Sequence, residues 1–134
     1  MDGSLIDLSK YRLERAKEDL RTARENYANG SFRASVNRSY YAIFHALRAV
    51  TALDDFDSGK HSGIIGYVNH TYVKAGIFDK TFSKKVDSAF RLREKADYDD
   101  FYIVAVEDAK RQIENAEAVI TAVEAYVSAC WDKA

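Results

Sequence analysis

The chain of 134 residues contains no proline, six glycines and one cysteine. Without proline, few positions force a helix to end, so each glycine is an informative break. A single cysteine excludes an internal disulfide, and with it a secreted fold held together by disulfides. No apolar run approaches the roughly 20 residues that span a bilayer. The N-terminal residues also lack the basic-then-apolar order of a signal peptide, so we expect a cytoplasmic location and no membrane partner.

The net charge is also small, at −1, which argues against binding nucleic acid by bulk electrostatics. The charges are unevenly distributed, however. Residues 1–53 hold nine Lys and Arg against six Asp and Glu, whereas residues 99–134 hold three against eight. Solvated helix faces that pair within one domain explain such a split. A local basic site in the first half of the chain is the alternative.

Hydrophobic periodicity predicts helices throughout the chain, because apolar residues recur at steps of three and four. The predicted segments are about residues 5–28, 31–53, 62–74, 79–98 and 106–127. The turn Asn29-Gly30-Ser31 makes the first two segments an antiparallel hairpin. Residues 1–134 are therefore predicted to form one all-α domain, an up-and-down bundle of four to five helices, three long and two shorter.

The second predicted helix has two different faces on a wheel drawn at about 100° per residue. One face is apolar and is expected to lie in the core: Val36, Tyr40, Ile43, Leu47 and Val50. The opposite face holds four polar residues, Arg38, Tyr41, His45 and Arg48, among three small ones, Ala34, Ala49 and Ala52. Because small residues let another helix approach closely, we expect another helix or a partner subunit against this face.

Arg38 and His45 are two helical turns apart, so their side chains can converge on one small anion. Together they supply a fixed positive charge and a group that titrates near neutrality, which are the two requirements of metal-free RNA cleavage. The alternative is structural, since a lone histidine in a helix is often only hydrogen-bonded and a surface arginine often only pairs with acids.

Four short motifs occur in order along the chain. They are NRSYYAIFHA (residues 37–46), GKHSG (59–63), VKAG (73–76) and REKADY (93–98). In combination they resemble the HEPN family, the higher eukaryote and prokaryote nucleotide-binding domains. The resemblance covers about residues 5–130 and is to the small single-domain prokaryotic branch.

The resemblance implies a helical bundle that dimerises through the second helix and, in many members, a metal-independent endoribonuclease without a cofactor. Arg38 and His45 match the family's catalytic pair, with His45 moving a proton and Arg38 holding the scissile phosphate. In active members Asn, Asp or His commonly follows the arginine, and Ser39 stands there in this chain. The neighbouring residues predicted to bind substrate are Asn37, Ser39, Tyr41 and Arg48.

Several of these residues have simpler alternatives. Tyr41 either stacks on a base or is a half-buried dimer contact, and Arg48 either extends the basic face or forms a rim ion pair. Arg93 and Asp97 are expected to pair along their helix and to be structural. His61 is expected to brace a loop, since neither it nor His70 has a second histidine at metal-binding spacing.

Three functions remain open from the sequence. The first is a homodimeric ribonuclease that acts on single-stranded RNA as the toxin of a toxin–antitoxin pair, with a small nucleotidyltransferase as antitoxin. The second is a non-catalytic module that binds a nucleotide or the nucleotidyltransferase through the same face. The third is a purely structural helical dimer.

Overall fold

The computed structural model describes residues 2–134, which form five α-helices and no strand. The helices are α1 (Gly3–Ala28), α2 (Phe32–Leu53), α3 (His61–Val68), α4 (Lys80–Tyr98) and α5 (Val106–Lys133). The all-α prediction is confirmed. No helix within residues 2–134 is both long and apolar enough to cross a membrane.

Two helix lengths differ from the prediction. Helix α4 has 19 residues, so four helices are long and only α3, with eight residues, is short. The third segment is not α-helical throughout, because α3 passes at Asn69 into a π-helical turn that ends at Val73. There the Lys74 amide donates to the Asn69 carbonyl, five residues back, at 3.0 Å. Side-chain periodicity does not register such a local change of backbone pitch.

The α1–α2 hairpin forms because the chain reverses at Gly30, whose φ of +80° is in the left-handed region. Two serine hydroxyls then fix the register of the antiparallel helices. Ser9 in α1 donates to the Ala49 carbonyl at 2.7 Å, and Ser35 in α2 donates to the Ala23 carbonyl at 2.8 Å. A side chain this short reaches the opposite backbone only where the helices are in close contact.

The surface of α2 that faces α1 is made of small, fully buried residues: Ser35, Ser39, Ala42, Ala46 and Ala49. They are spaced by four and three positions, so they form one continuous stripe. We expected small residues on α2 to receive a partner helix. At Ala49 that helix is α1 of the same chain, and Ala52 is also buried, at 2% exposure. A close neighbouring helix was therefore correctly expected at Ala49, and of the three alanines only Ala34 is exposed.

Helix α2 is the centre of the bundle and contacts α1, α3, α4 and α5. Its predicted apolar face is buried as expected, with Val36, Tyr40, Ile43, Leu47 and Val50 each no more than 1% exposed. With the apolar face and the α1-facing stripe both covered, α2 keeps one narrow strip accessible in addition to Phe32 and Arg33 in its first turn. That strip contains the residues predicted to do chemistry.

Replacing Ala46 by Leu inserts a branched side chain between α1 and α2, where both backbones are held by the serine hydrogen bonds. Overpacking of this kind costs about 1–3 kcal/mol. We expect the urea-derived free energy of unfolding of Ala46→Leu to fall by that amount. Ala34→Leu, on the exposed side of the same helix, serves as the control and should unfold like the wild type. Equal stabilities of the two variants would contradict the close-packed interface.

Candidate functional site

The accessible strip of α2, here called the polar stripe, consists of Ala34, Asn37, Arg38, Tyr41, His45 and Arg48. All except Ala34 are half-buried, since the flanking helices α1 and α4 rise on either side. Five of the six residues predicted to act on a substrate thus share one partly accessible strip between α1 and α4, here also called the groove. This is what the helical wheel predicts for side chains at steps of three and four.

Ser39 is the exception. It lies on the stripe that faces α1, has 0% exposure, and its hydroxyl makes no hydrogen bond among the described residues. A buried hydroxyl cannot contact a ligand in the groove, so the geometry does not support Ser39 as a substrate-binding residue. The position after Arg38 differs from the family pattern at an internal site, where a small side chain suits the close contact of α1 and α2.

Asp19 of α1 joins the predicted catalytic pair. Its Oδ1 accepts a hydrogen bond from Arg38 Nη1 at 3.2 Å, and its Oδ2 lies 3.5 Å from His45 Nε2. The carboxylate side chain is only 13% exposed, so its interactions are poorly screened by solvent. One carboxylate therefore holds the two side chains on the same side of the groove.

Sequence analysis did not identify Asp19, although a signal for it exists. The hairpin register places residue 9 opposite residue 49 and residue 23 opposite residue 35. Interpolation between these two contacts puts residue 19 opposite residue 39, next to Arg38. The register of α1 against α2 therefore identifies Asp19 as a neighbour of Arg38. The periodicity of α2 alone does not, because Asp19 belongs to another helix.

Tyr41 lies between two guanidinium groups. Arg38 stacks over its ring at 5.0 Å from the centroid, and Arg93 of α4 lies 5.5 Å from the same centroid. Arg93 also donates to the Tyr41 hydroxyl at 3.2 Å. The ring and the hydroxyl of Tyr41 thus both contact cations, which favours this orientation of the ring.

Arg93 itself is held by the ion pair predicted from the sequence. Its Nε lies 2.8 Å from Oδ2 of Asp97, one turn further along α4. The same carboxylate oxygen accepts a hydrogen bond from the Asn37 amide at 3.3 Å, which ties α4 to α2. These contacts agree with the structural role expected of the Arg93–Asp97 pair. The hydrogen bond to Asp97 of α4 also orients the Asn37 side chain of α2.

The remaining predicted residues occupy the other end of the groove. Arg48 forms an ion pair with Asp57 at 3.2 Å, which matches the simpler of its two predicted roles. His61 stacks on Phe44 at 4.0 Å between centroids, and its Nδ1 lies 2.7 Å from the Tyr40 hydroxyl. These contacts fix the start of α3 against α2, so His61 braces this part of the fold.

The pKa of His45 lies below its ordinary value, mainly because burial disfavours the charged ring and next because Arg15 repels it. Asp19 opposes this shift, and Arg48 and Arg38 reinforce it. His45 is therefore predominantly uncharged near neutral pH and can accept a proton. The pKa of His61 is lowered as well, first by burial and then by repulsion from Arg93.

Metal ligands are not clustered in the described chain. Within residues 2–134, no three His, Cys, Asp or Glu side chains lie close enough together to hold a metal ion.

The lowered histidine pKa values predict how stability depends on pH. Below the ordinary histidine pKa of 6.5, the unfolded chain binds more protons than the folded chain does. This part of the stability is thus fully present above that pH and is lost as the pH falls. We expect the free energy of unfolding in urea to decrease between about pH 7.5 and pH 5.5.

Two variants test this prediction. The decrease in the free energy of unfolding should be smaller in His45→Gln than in the wild type, and it should equal that of the wild type in the control His70→Gln, whose ring is exposed. The same decrease in all three proteins would contradict this account.

Comparison with known proteins adds an independent observation. The sequence model of the HEPN domain matches residues 9–126. A UPF0332 protein of Thermotoga maritima is 31% identical over 115 residues, which cover 86% of this chain and 87% of the relative. A Methanocaldococcus jannaschii protein named putative toxin is 30% identical over 86% of this chain and 80% of the relative. A second protein of that organism with the same designation is 22% identical over 86% of this chain and 78% of the relative. The match over most of its length shows that the chain belongs to the HEPN domain family.

Proposed function

We propose that this HEPN protein is a metal-independent endoribonuclease that cleaves single-stranded RNA at the polar stripe. The observation that supports this most directly is the contact of one buried carboxylate, Asp19, with both Arg38 and His45. A fixed cation and a proton acceptor are thereby placed side by side in a groove. Both side chains are partly accessible to solvent, so a bound strand can reach them.

The reaction uses the ribose as its own nucleophile. His45 accepts the proton of the 2′-hydroxyl, and the freed 2′-oxygen attacks the adjacent phosphorus. Arg38 donates hydrogen bonds to the phosphate oxygens and offsets the charge that develops in the pentacoordinate transition state. The bond to the 5′-oxygen breaks, and that oxygen takes up a proton. The products are a 2′,3′-cyclic phosphate and a 5′-hydroxyl.

The second proton transfer needs no further residue. His45 becomes an imidazolium when it accepts the 2′-hydroxyl proton, and it returns that proton to the leaving 5′-oxygen. We also propose that two polar stripes face each other across a homodimer and that each supplies one Arg38 and one His45. Such an arrangement forms a channel that a single polar stripe does not provide.

The names of two relatives support a proposal for the biological setting. Both are named putative toxins, and this chain is similar to both over most of its length. We propose that it is likewise the toxin of a toxin–antitoxin pair, with a small nucleotidyltransferase as the antitoxin partner.

The Asp19 carboxylate is also the reason to keep a second candidate function. Asp19 already neutralises Arg38, so the resting site has no free cation at the position of the scissile phosphate. A non-catalytic module that binds a nucleotide or the nucleotidyltransferase through this face is consistent with that pairing. The two functions differ in whether RNA is cut.

Cleavage of a labelled single-stranded RNA in EDTA separates these functions. We expect the wild type to cut and to leave a cyclic phosphate, since no metal takes part. His45→Ala should lower the rate by about 10²–10⁴-fold, as removal of a general base does. Arg38→Ala should lower it by about 10²–10³-fold, because transition-state charge is no longer offset. His70→Ala and Arg91→Ala remove the same side-chain types from exposed sites and should cut like the wild type.

Two results would reject the ribonuclease. One is RNA left intact by the wild type, and the other is equal cleavage by the wild type and both site variants, which would indicate a contaminant. Light scattering of the same samples measures the mass in solution, and a strict monomer would reject the shared site.

Asp19 is a positioning residue in this scheme, and its replacement has a specific effect on pH dependence. The Asp19 charge raises the pKa of His45 against the larger effect of burial, so Asp19→Asn lowers that pKa further. For the wild type, kcat/KM should rise with pH through an apparent pKa below 6.5 and then level off. In Asp19→Asn the rise should move to lower pH, while the plateau falls because Arg38 and His45 are no longer held together. An unshifted profile with only a lower plateau would show that Asp19 is merely structural.

A further inference from the structure

A cleft of about 800 Å³ lies beside the polar stripe. We call it the loop cleft, because it lies between the first turn of α2 and residues 99–105, which join α4 to α5. Its volume is within the range of about 300–1,000 Å³ typical of small-molecule sites. Asn37 and Arg38 line the loop cleft and also belong to the polar stripe. The cleft therefore opens directly at the guanidinium group assigned to the scissile phosphate.

The walls of the loop cleft are mainly apolar. Phe32 forms part of one wall, and Tyr102, Ile103 and Val104 form the other. Ile103 is 87% exposed, and the adjacent Phe101 is 94% exposed. Four of the seven large hydrophobic residues that are exposed in residues 2–134 lie between positions 98 and 106. Of these four residues Ile103 lines the cleft, and the others extend the apolar surface beside it. Such a concentration of apolar surface is typical of a binding region, whereas single exposed apolar residues are not.

The polar groups of the loop cleft favour an anion. Arg33 lines the cleft, and its guanidinium donates to the Tyr102 carbonyl. Because a carbonyl is uncharged, this hydrogen bond does not neutralise the positive charge of Arg33. Asp97 is the carboxylate of the cleft, and it is already engaged by Arg93 and by the Asn37 amide. A ligand with an apolar, flat body and an anionic end would match both the walls and Arg33, and a second anionic group at Arg38 would have to compete with Asp19.

We propose that the loop cleft binds the base and ribose of the nucleotide next to the phosphate held by Arg38, with Arg33 contacting the following phosphate. This subsite rests on the proposed ribonuclease function and extends it to the recognition of one nucleotide. Arg33 and Arg38 both line the cleft, so each is placed to contact a phosphate of the bound strand. A base has two apolar faces that suit the walls, and stacking of this kind tolerates sequence variation.

Asn26 gives the subsite a means of discrimination. It lies in the last turn of α1 and lines the loop cleft, and its side-chain amide offers a donor and an acceptor to the edge of a base. The cleft thus selects among bases to the extent that their edges match this amide, whereas its apolar walls accept every base.

Calorimetric titration with nucleotides that contain no scissile bond tests the subsite. The probes are the four ribonucleoside 5′-monophosphates, ribose 5-phosphate and inorganic phosphate. We expect at least one nucleotide to bind the wild type more tightly than ribose 5-phosphate, because the base adds contacts with the walls. Ala34→Trp fills the cleft from an exposed position and Ile103→Ser removes apolar wall, so each should weaken nucleotide binding by about fivefold or more.

Charge and control variants complete the design. Arg33→Gln should weaken the binding of the nucleotides and of ribose 5-phosphate alike, since it removes a phosphate contact. Arg91→Gln makes the same change of charge outside the cleft, and Ile77→Ser makes the same change at an exposed apolar residue elsewhere. Both controls should bind like the wild type.

Three results would overturn the subsite. They are nucleotide binding no tighter than that of ribose 5-phosphate, equal binding by the cleft variants and the wild type, and a change from dimer to monomer in Ala34→Trp without an effect on nucleotide binding. The last result would make the cleft an interface between two copies of the chain. Because the probes cannot be cleaved, their binding is independent of ribonuclease activity. A fourth result, equal cleavage of RNA by an enzyme with a filled cleft, would also reject the subsite but would not contradict the ribonuclease function.

Discussion

The close contact between α1 and α2 is the constraint on which the rest of the structure depends. Small residues line the α2 side of this contact, and two serine hydroxyls on opposite helices each bond to a carbonyl of the other. These bonds fix the register as well as the distance. With that register, Asp19 lies beside Arg38 and His45. A shift of one turn would move the carboxylate by about 5.4 Å and separate it from both side chains.

The same contact determines which residues of α2 remain accessible. A central helix contacted by α1, α3, α4 and α5 has little surface left, and what is left of α2 is the polar stripe. The half-buried position of His45 in that stripe lowers its pKa, and the nearby arginines lower it further. Packing and acid–base chemistry are thus connected, since the helices that bury the flanks of His45 also make it a base near neutral pH.

The sequence predicted the helical class, the hairpin and the shared face of Arg38, Tyr41 and His45, because each depends on local propensity or on periodicity along one helix. Ala49 and Ala52 show where that approach ends. A helical wheel gives the direction of a side chain, but it does not tell which neighbouring element covers it. The prediction that Ser39 binds substrate is not supported for the same reason, because α1 buries this residue completely. The loop cleft was also beyond reach, since it forms between segments about 70 positions apart, as the contact of Arg33 with Tyr102 illustrates.

The near-zero net charge takes on a different meaning beside this site. Both arginines of the polar stripe, and Arg93 beside it, have a carboxylate within ion-pair distance: Arg38 with Asp19, Arg48 with Asp57, and Arg93 with Asp97. An anion that binds Arg38 must therefore compete with Asp19, and a randomly placed phosphate gains little by doing so. A phosphate held by further contacts along the groove offsets the lost ion pair and also lies near His45. The paired charges thus weaken nonspecific attraction to polyanions, so that affinity depends on how well a ligand fits the groove.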